Sequence, residues 1–315
     1  MTVTEKPRES ELESAQSTGR AGDAVFLGLA RSSGMLIMLA LAGVAIFLLV
    51  QGLPALNGEG AASYGFDSIW AYTGPLVFGT LLASIIAMVV AAPLAIGVAL
   101  IISHYAPRRL SKALGWLVDL LAAIPSVVYG LWGIEFLAPN LVPVYFWLEE
   151  NAGFIPFFEG PVPRSGRTML TAGLVLAVMA LPIITAICRE VFAQTPRLHE
   201  EAALALGATR WEMIRLAVFP YARSGMVSAV LLGLGRALGE TMAVALVLAP
   251  SIIVSLNLIS ASDSSSTIAA NIALQFGNAS GSKVDTLIFT GLVLFVITFA
   301  VNFLGRAITA RSKRG

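Results

Sequence analysis

Charged residues are scarce in this chain of 315 residues, and cysteine and histidine are nearly absent. Only 12% of the residues are charged and 57% are hydrophobic, whereas about 25% of a soluble domain is charged. This shortage excludes an ordinary soluble fold and indicates that much of the surface faces lipid. The single cysteine, Cys188, excludes an internal disulfide, and one cysteine with two histidines offers no metal-binding cluster.

The chain also lacks the Gly-Lys pair of an ATP-binding loop. Such a loop needs Gly-Lys followed by Ser or Thr, and each of the four lysines here follows Glu or Ser. No arrangement of a nucleophile with a base, and no set of metal ligands, is visible either. We therefore predict that the chain is not an enzyme, binds no cofactor or metal and has no nucleic-acid partner. A membrane enzyme is the least favoured class.

The first 24 residues lack an apolar run and are rich in Glu, Ser, Thr, Arg and Gly. A cleavable signal would place a short apolar segment almost at the start of the chain. We therefore predict that residues 1–24 form a disordered cytoplasmic tail and that residues 25–315 form a transmembrane domain.

Six stretches are apolar enough and long enough to cross a bilayer, which takes about 20 residues. They predict an all-α integral membrane protein with six transmembrane helices. Proline inside a helix removes an amide donor and clashes with the preceding turn, so Pro93, Pro125 and Pro182 should kink three of them. The stretches run roughly over residues 34–53, 75–103, 114–137, 169–188, 224–250 and 285–304.

Basic residues are distributed unevenly between the two sides of these stretches. Most of the 20 Lys and Arg residues fall in the two ends of the chain and in the loops on the same side. The opposite loops contain only Arg164, Arg167 and Lys283. Because basic loops stay in the cytoplasm, this asymmetry predicts cytoplasmic N- and C-termini in a multi-pass protein of the cytoplasmic membrane.

The loop over residues 189–222 differs from the other connections. Pro196 can begin a helix that Gly207 can end in a left-handed conformation. Thr209 can then cap a second helix, with Glu212 completing a capping box. The pattern predicts two short helices joined at Gly207 on the cytoplasmic face.

This loop resembles the EAA motif of ATP-binding-cassette (ABC) import permeases, EAA-x3-G-x9-I-x-L-P. The chain has Glu201, Ala202 and Ala203, then Gly207, and then Ala217-Val218-Phe219-Pro220 at the family spacing. Ala217 and Phe219 replace Ile and Leu and remain apolar. The resemblance implies a type I ABC importer permease fold. It also implies that Glu201, Ala202, Ala203 and Gly207 couple the chain to a separate ATPase, which would use the ATP.

Two charged residues, Arg236 and Glu240, interrupt the fifth apolar stretch. Each charge costs roughly 2.5–3.5 kcal/mol at the centre of a membrane helix, so this face must meet protein or a polar path. Four residues apart on a helix, the two side chains can pair. Two interpretations stay open, a structural ion pair and a substrate path. Arginine suits an oxyanion, and Glu240 could accept the proton that hydrogen phosphate carries and sulfate does not.

The segment Leu121–Gly133 and the Arg-Ala-Leu-Gly-Glu-Thr run that begins at Arg236 resemble the C-type permeases of the phosphate-specific transport system. The resemblance implies an importer that translocates inorganic phosphate by alternating access, with Arg236 and Glu240 important for transport. Ser126 and Tyr129 flank the break at Pro125 and either line the path or pack at the kink. The implied partners are a sibling permease, two ATPase subunits, an extracytoplasmic phosphate-binding protein and the lipid bilayer. A permease for sulfate or molybdate, or a secondary transporter, is the alternative.

Overall fold

The computed structural model describes residues 9–248, 251–262 and 264–312, and over these residues the chain is helical and contains no β-strand. Thirteen α-helices are present in this part of the chain. Their bounds are α1 Glu9–Gly52, α2 Glu59–Ala62, α3 Ile69–Leu100, α4 Arg108–Ala122, α5 Ser126–Trp132, α6 Ala138–Ala152, α7 Met169–Ala193, α8 Arg197–Ala205, α9 Arg210–Met213, α10 Phe219–Leu238, α11 Met242–Val247, α12 Ile268–Gln275 and α13 Ser282–Ser312.

Six helical segments among the described residues are long and apolar enough to cross a membrane, which confirms the predicted number of spans. Three of these segments contain a π-helical turn. The first turn follows α3, the second joins α5 to α6, and the third joins α9 to α10. The spans cover Gly22–Asn57, Ile69–Tyr105, Ser126–Ala152, Met169–Ala193, Arg210–Leu238 and Ser282–Ala307.

Helix α7 lies at the centre of the protein and packs against α3, α4, α10 and α11. Helix α3 contributes a row of alanines, one at every fourth residue, to this contact. Small side chains let membrane helices approach closely, where packing rather than hydrophobic burial holds them together. Gly233 of α10 serves the same purpose, because a Cβ there would lie 2.6 Å from Ile184 of α7. The buried alanines of α3 are Ala83, Ala87, Ala91, Ala95 and Ala99.

The serine-rich segment after α11, predicted as an outer connection, returns into the protein. Ser264, Ser265 and Ser266 are buried, and the backbone passes so close to Gly79 of α3 that a side chain there would not fit. The side chain of Thr267 caps α12 by accepting a hydrogen bond from the amide of Ala270. The segment thus packs against α3, and Ile252 joins an apolar cluster with Leu287 and Phe289 of the last span.

The third span differs from the prediction over residues 114–137. Residues 108–122 form a separate, strongly amphipathic helix, α4, and the spanning segment is Ser126–Ala152. Pro125 lies between the two helices, because the residue before a proline avoids the helical conformation. Asp119 of α4 accepts two hydrogen bonds of 3.1 Å from Arg189, which ties α4 to the loop-side end of α7.

The N-terminal segment and the fifth span also differ from their predictions. Residues 9–24, expected to be disordered, are the beginning of α1, while residues 1–8 lie outside the described part. The fifth span, expected to run unbroken over residues 224–250, stops at Leu238 and resumes as the short helix α11. Pro93 and Pro182 lie inside α3 and α7, as expected.

Replacing Ala91 by leucine is expected to lower the thermal stability of the purified protein, because the added carbons have no space between α3 and α7. Overpacking of this kind costs about 1–3 kcal/mol. Ala71→Leu, on the exposed side of the same helix, is the matched control and should melt like the parent. Equal melting temperatures for the two variants in detergent would contradict the packing described here.

Candidate translocation site and coupling loop

The fifth span is interrupted in the middle of its apolar stretch. Helix α10 ends at Leu238, Gly239 forms its C-cap, and α11 begins at Met242. The amides of Gly239 and Glu240 still bond to carbonyls of the last turn of α10, at 3.3 and 3.5 Å. Membrane proteins tolerate broken helices where the backbone lies in protein or lines a cavity, and transporters often place substrate sites there.

Glu240 occupies this break and is buried, with 8% of its surface exposed. Its carboxylate oxygen Oε1 accepts a hydrogen bond of 3.2 Å from the amide of Ala243 in the first turn of α11. A negative charge is favourable at this end of a helix, where amide donors are unpaired. Glu240 therefore stabilises the start of α11.

Arg236 lies in the last turn of α10 and is half-buried. Its Nε atom is inaccessible to solvent and has no hydrogen-bond partner within the described residues. An arginine carries five N–H donors and stays charged, so this side chain retains capacity to bind an anion.

Arg236 and Glu240, both in the described part of the chain, form no salt bridge with each other. This differs from the pairing that their spacing allows. The four-residue rule applies to a continuous helix, and α10 ends between the two residues. The break turns the carboxylate towards α11 and leaves the guanidinium on α10, so the two charges have different surroundings.

Tyr129 and Ser126 lie on α5, which packs against α11. The two helices approach so closely that a Cβ on Gly130 would lie 2.8 Å from the Cα of Ala243. Tyr129 is buried and donates a hydrogen bond of 2.8 Å to the carbonyl of Leu121, across the turn between α4 and α5. Ser126, the first residue of α5, is half-buried. Tyr129 thus lies beside the interrupted span, whereas Ser126 only begins the helix that carries it.

Another charged residue well inside a span is Glu135, which the sequence analysis does not single out. It lies in the π-helical turn Gly133–Leu137 within the third span and is exposed on this chain. Turns of this kind often occur at functional sites. The expected span ended at residue 137, which placed Glu135 near a membrane surface; the span observed over Ser126–Ala152 places it inside.

The loop over residues 189–222, called the coupling loop below, has the predicted form of two helices joined at Gly207. Gly207 adopts a left-handed φ of 86°, and its amide and that of Ala208 bond to carbonyls in the last turns of α8. Thr209 and Glu212 then form a reciprocal capping box at the start of α9, with contacts of 2.8 and 3.3 Å. The turn is closed by local hydrogen bonds on both sides.

The outer face of this loop is apolar and exposed. Leu198 and Leu206 are 75% and 89% exposed, and Glu201 and Ala202 are exposed beside them. A groove of about 850 Å³ opens between the two short helices and the start of α10. Its apolar lining includes Ala202, Ala203, Leu206, Leu216, Ala217 and Pro220.

The loop is fixed to the spans near its first helix. Nε2 of His104, in the π-helical end of the second span, lies 3.6 Å from a carboxylate oxygen of Glu200 in α8. The second span and the coupling loop are therefore in direct contact. A displacement of α8 would act on the second span here and on the fifth span through α9.

The six spans, the broken fifth helix and the two-helix loop together define the membrane subunit of a type I ABC importer. Residues 91–314 match the family described as binding-protein-dependent transport system inner membrane component, and the chain belongs to that family. It is a multi-pass membrane protein and a permease subunit, not an enzyme. Membership implies an ATPase and a substrate-binding protein as partners.

Named relatives and solved structures agree with this assignment. The phosphate transport system permease protein PstC 2 of Mycobacterium tuberculosis (strain ATCC 25618 / H37Rv) is 45% identical over 94% of each chain. PstC of Xylella fastidiosa (strain 9a5c) is 37% identical over 100% of this chain and 99% of its own.

Two solved transporters share the fold at low sequence identity. A bacterial ABC transporter involved in the import of the acidic polysaccharide alginate matches with a TM-score of 0.51 and 18% identity, over 88% of this chain and 95% of its own. An inward-facing MetNI methionine ABC transporter matches with a TM-score of 0.50 and 16% identity, over 85% and 97%. These likenesses confirm the predicted fold.

Replacing Gly207 by valine is expected to loosen the joint between α8 and α9, because a left-handed backbone costs an ordinary residue about 1–2 kcal/mol. Limited trypsin digestion of the purified protein should then cut faster at Arg210. Ala205→Val introduces the same side chain into α8 without this strain and serves as the control. Cleavage of Gly207→Val at the rate of the control would show that the turn is not needed.

Proposed function

We propose that this chain is the permease subunit through which an ATP-driven importer moves inorganic phosphate across the cytoplasmic membrane. Relatives named as phosphate transport system permeases, 37–45% identical over most of the chain, support this cargo. The observation that carries the proposal is the environment of Arg236. This cation lies beside the helix break, and its buried Nε has no hydrogen-bond partner in the described part of the chain.

Phosphate would meet Arg236 as it passes the break. A guanidinium binds an oxyanion through two parallel hydrogen bonds and, being weakly hydrated, can do so within the membrane. Tyr129 lies on α5, which packs against α11, and its hydroxyl oxygen can accept a hydrogen bond. We assign Tyr129 to the wall of the path on this basis, and Ser126 with it as the first residue of the same helix.

Glu240 would distinguish phosphate from sulfate. One of its carboxylate oxygens holds the amide of Ala243, and the other is available as an acceptor. Hydrogen phosphate carries a proton near neutral pH and can donate it to a carboxylate, whereas sulfate has none to donate and would be repelled.

The chain would be coupled to ATP hydrolysis by the ATPase through four residues of the coupling loop, Glu201, Ala202, Ala203 and Gly207. Their exposed apolar surroundings suit a groove on an ATPase subunit, and small alanines permit close approach. The complex would contain this chain, a sibling permease, two ATPase subunits that use the ATP and an extracytoplasmic phosphate-binding protein. Both termini of this chain would be cytoplasmic. Closure of the ATPases would pull on the loop and reorient the spans by alternating access.

The test is radiolabelled phosphate uptake by cells that lack this chain and carry the parent, Arg236→Gln or Glu240→Gln. Arg236→Gln should lower uptake at least tenfold, because the path loses its anion ligand. Glu240→Gln should lower phosphate uptake and make the remainder sensitive to excess sulfate. Arg223→Gln, exposed at the start of the same helix, is the matched control and should transport like the parent.

Two outcomes would oppose the proposal. If the parent reaches the membrane with its partners and restores no phosphate uptake, the cargo is wrong and only the importer class stands. If Glu240→Gln treats phosphate and sulfate as the parent does, the proton-acceptor role of Glu240 fails. Sulfate or molybdate as the main cargo would appear as strong competition against the parent itself.

A further inference from the structure

Arg167 reaches from the loop before α7 to the far end of α11. Its Nε donates to the carbonyl of Val247 at 3.3 Å. Its terminal nitrogen donates to the carbonyls of Leu246 and Leu248 at 2.9 and 3.4 Å. One guanidinium therefore satisfies three carbonyls where α11 ends, although Arg167 is about 80 residues away along the chain.

Helix α11 is too short to be stable by itself. It contains six residues, so most of its amides and carbonyls lie in unpaired end turns. Isolated helices below roughly 12–15 residues are marginal even in water, and an unpaired peptide group costs more in an apolar environment. Side chains must therefore hold α11 at both ends.

The two end groups have the charges that a helix dipole favours. Glu240 places a carboxylate on the amide of Ala243 at the start of α11, and Arg167 places a guanidinium on the carbonyls at its end. A negative group at the N-terminus and a positive group at the C-terminus each stabilise a helix. Helix α11, which is only about one and a half turns long, thus connects the position of Glu240 to that of Arg167.

Arg167 is itself fixed by hydrogen bonds to the outer ends of two spans. Gly166 precedes it with a left-handed φ of 64°, and its carbonyl accepts a bond of 2.6 Å from the hydroxyl of Thr171 in α7. Because that proton is used, the hydroxyl of Tyr145 in α6 must be the donor in its 2.7 Å contact with Thr171. The backbone at Arg167 is therefore locked to α6 and α7.

We propose that Arg167 is a positioning residue for Glu240, acting through α11. It holds the short helix in place so that the Glu240 carboxylate stays at the helix break beside Arg236. Without Arg167, three carbonyls lose their donors, α11 becomes mobile and Glu240 leaves its position. The proposal rests on the proposed function only in assigning Glu240 to the path.

The first readout is the mobility of α11. A nitroxide on Met242→Cys, in a Cys188→Ala background that removes the single native cysteine, reports α11 in the purified importer complex. Arg167→Gln should add a mobile component to the spectrum, and Arg167→Lys, which keeps a charged donor, should restore most of the immobile one. Arg164→Gln, an exposed arginine in the same loop, is the control and should leave the spectrum unchanged.

The second readout is phosphate uptake by the same variants without the label and with Cys188 intact. Arg167→Gln should lower the maximal rate at least fivefold and leave KM close to that of the parent, because the binding protein meets the substrate first. A merely structural role would lower the amount of complex and not the rate per complex. If Arg167→Gln does not assemble, Arg167→Lys is compared with Arg164→Gln in the same way.

The two readouts separate failure of this proposal from failure of the proposed function. An unchanged spectrum in Arg167→Gln overturns the proposal whatever the uptake shows. A mobile α11 with parental uptake also overturns it, because Glu240 would then not need the position. If the parent itself moves no phosphate, the cargo is wrong, and the spectrum still decides whether Arg167 holds α11.

Discussion

In the interior of a bilayer, water cannot satisfy unpaired backbone amides and carbonyls. This constraint applies where the fifth apolar stretch is interrupted. The helix stops at Leu238 and resumes at Met242, which leaves two new helix ends within the apolar stretch over residues 224–250. Glu240 and Arg167 supply the missing acceptor and donors. The charges that a membrane helix would otherwise exclude are therefore part of what makes the break possible.

The break also places the two charged residues, Arg236 and Glu240, in different segments of the chain. Arg236 lies near the end of the long segment Arg210–Leu238, which begins in the coupling loop, while Glu240 precedes the short helix α11, whose other end is held by Arg167. A pull on the coupling loop would move Arg236 with its helix, whereas α11 is held by Arg167 and packs against α5, α7 and α12. Arg236, the proposed anion ligand, and the carboxylate of Glu240 would then move relative to each other during transport.

The number of spans, the two short helices at Gly207 and the capping box at Thr209 could be predicted from the sequence, because each depends on local composition or spacing. The sequence predicts the third span in the wrong place, because α4 is amphipathic and its apolar face resembles part of a span. The ion pair between Asp119 and Arg189 distinguishes α4 from a span only once the structure is known. Pairing of Arg236 with Glu240 was expected from a spacing that is valid only for an unbroken helix. The contact of Arg167 with α11 joins distant parts of the chain, and no local pattern predicts it.

The most direct test of this account is phosphate uptake by the double variant that exchanges the two charges, Arg236→Glu with Glu240→Arg. If the residues have separate tasks, the exchange repels the anion at position 236 and places a positive charge at the start of α11. The account therefore predicts that the double variant is as inactive as either single variant. Recovery of uptake to the level of the parent would show that the two charges act as an ion pair, and would contradict it.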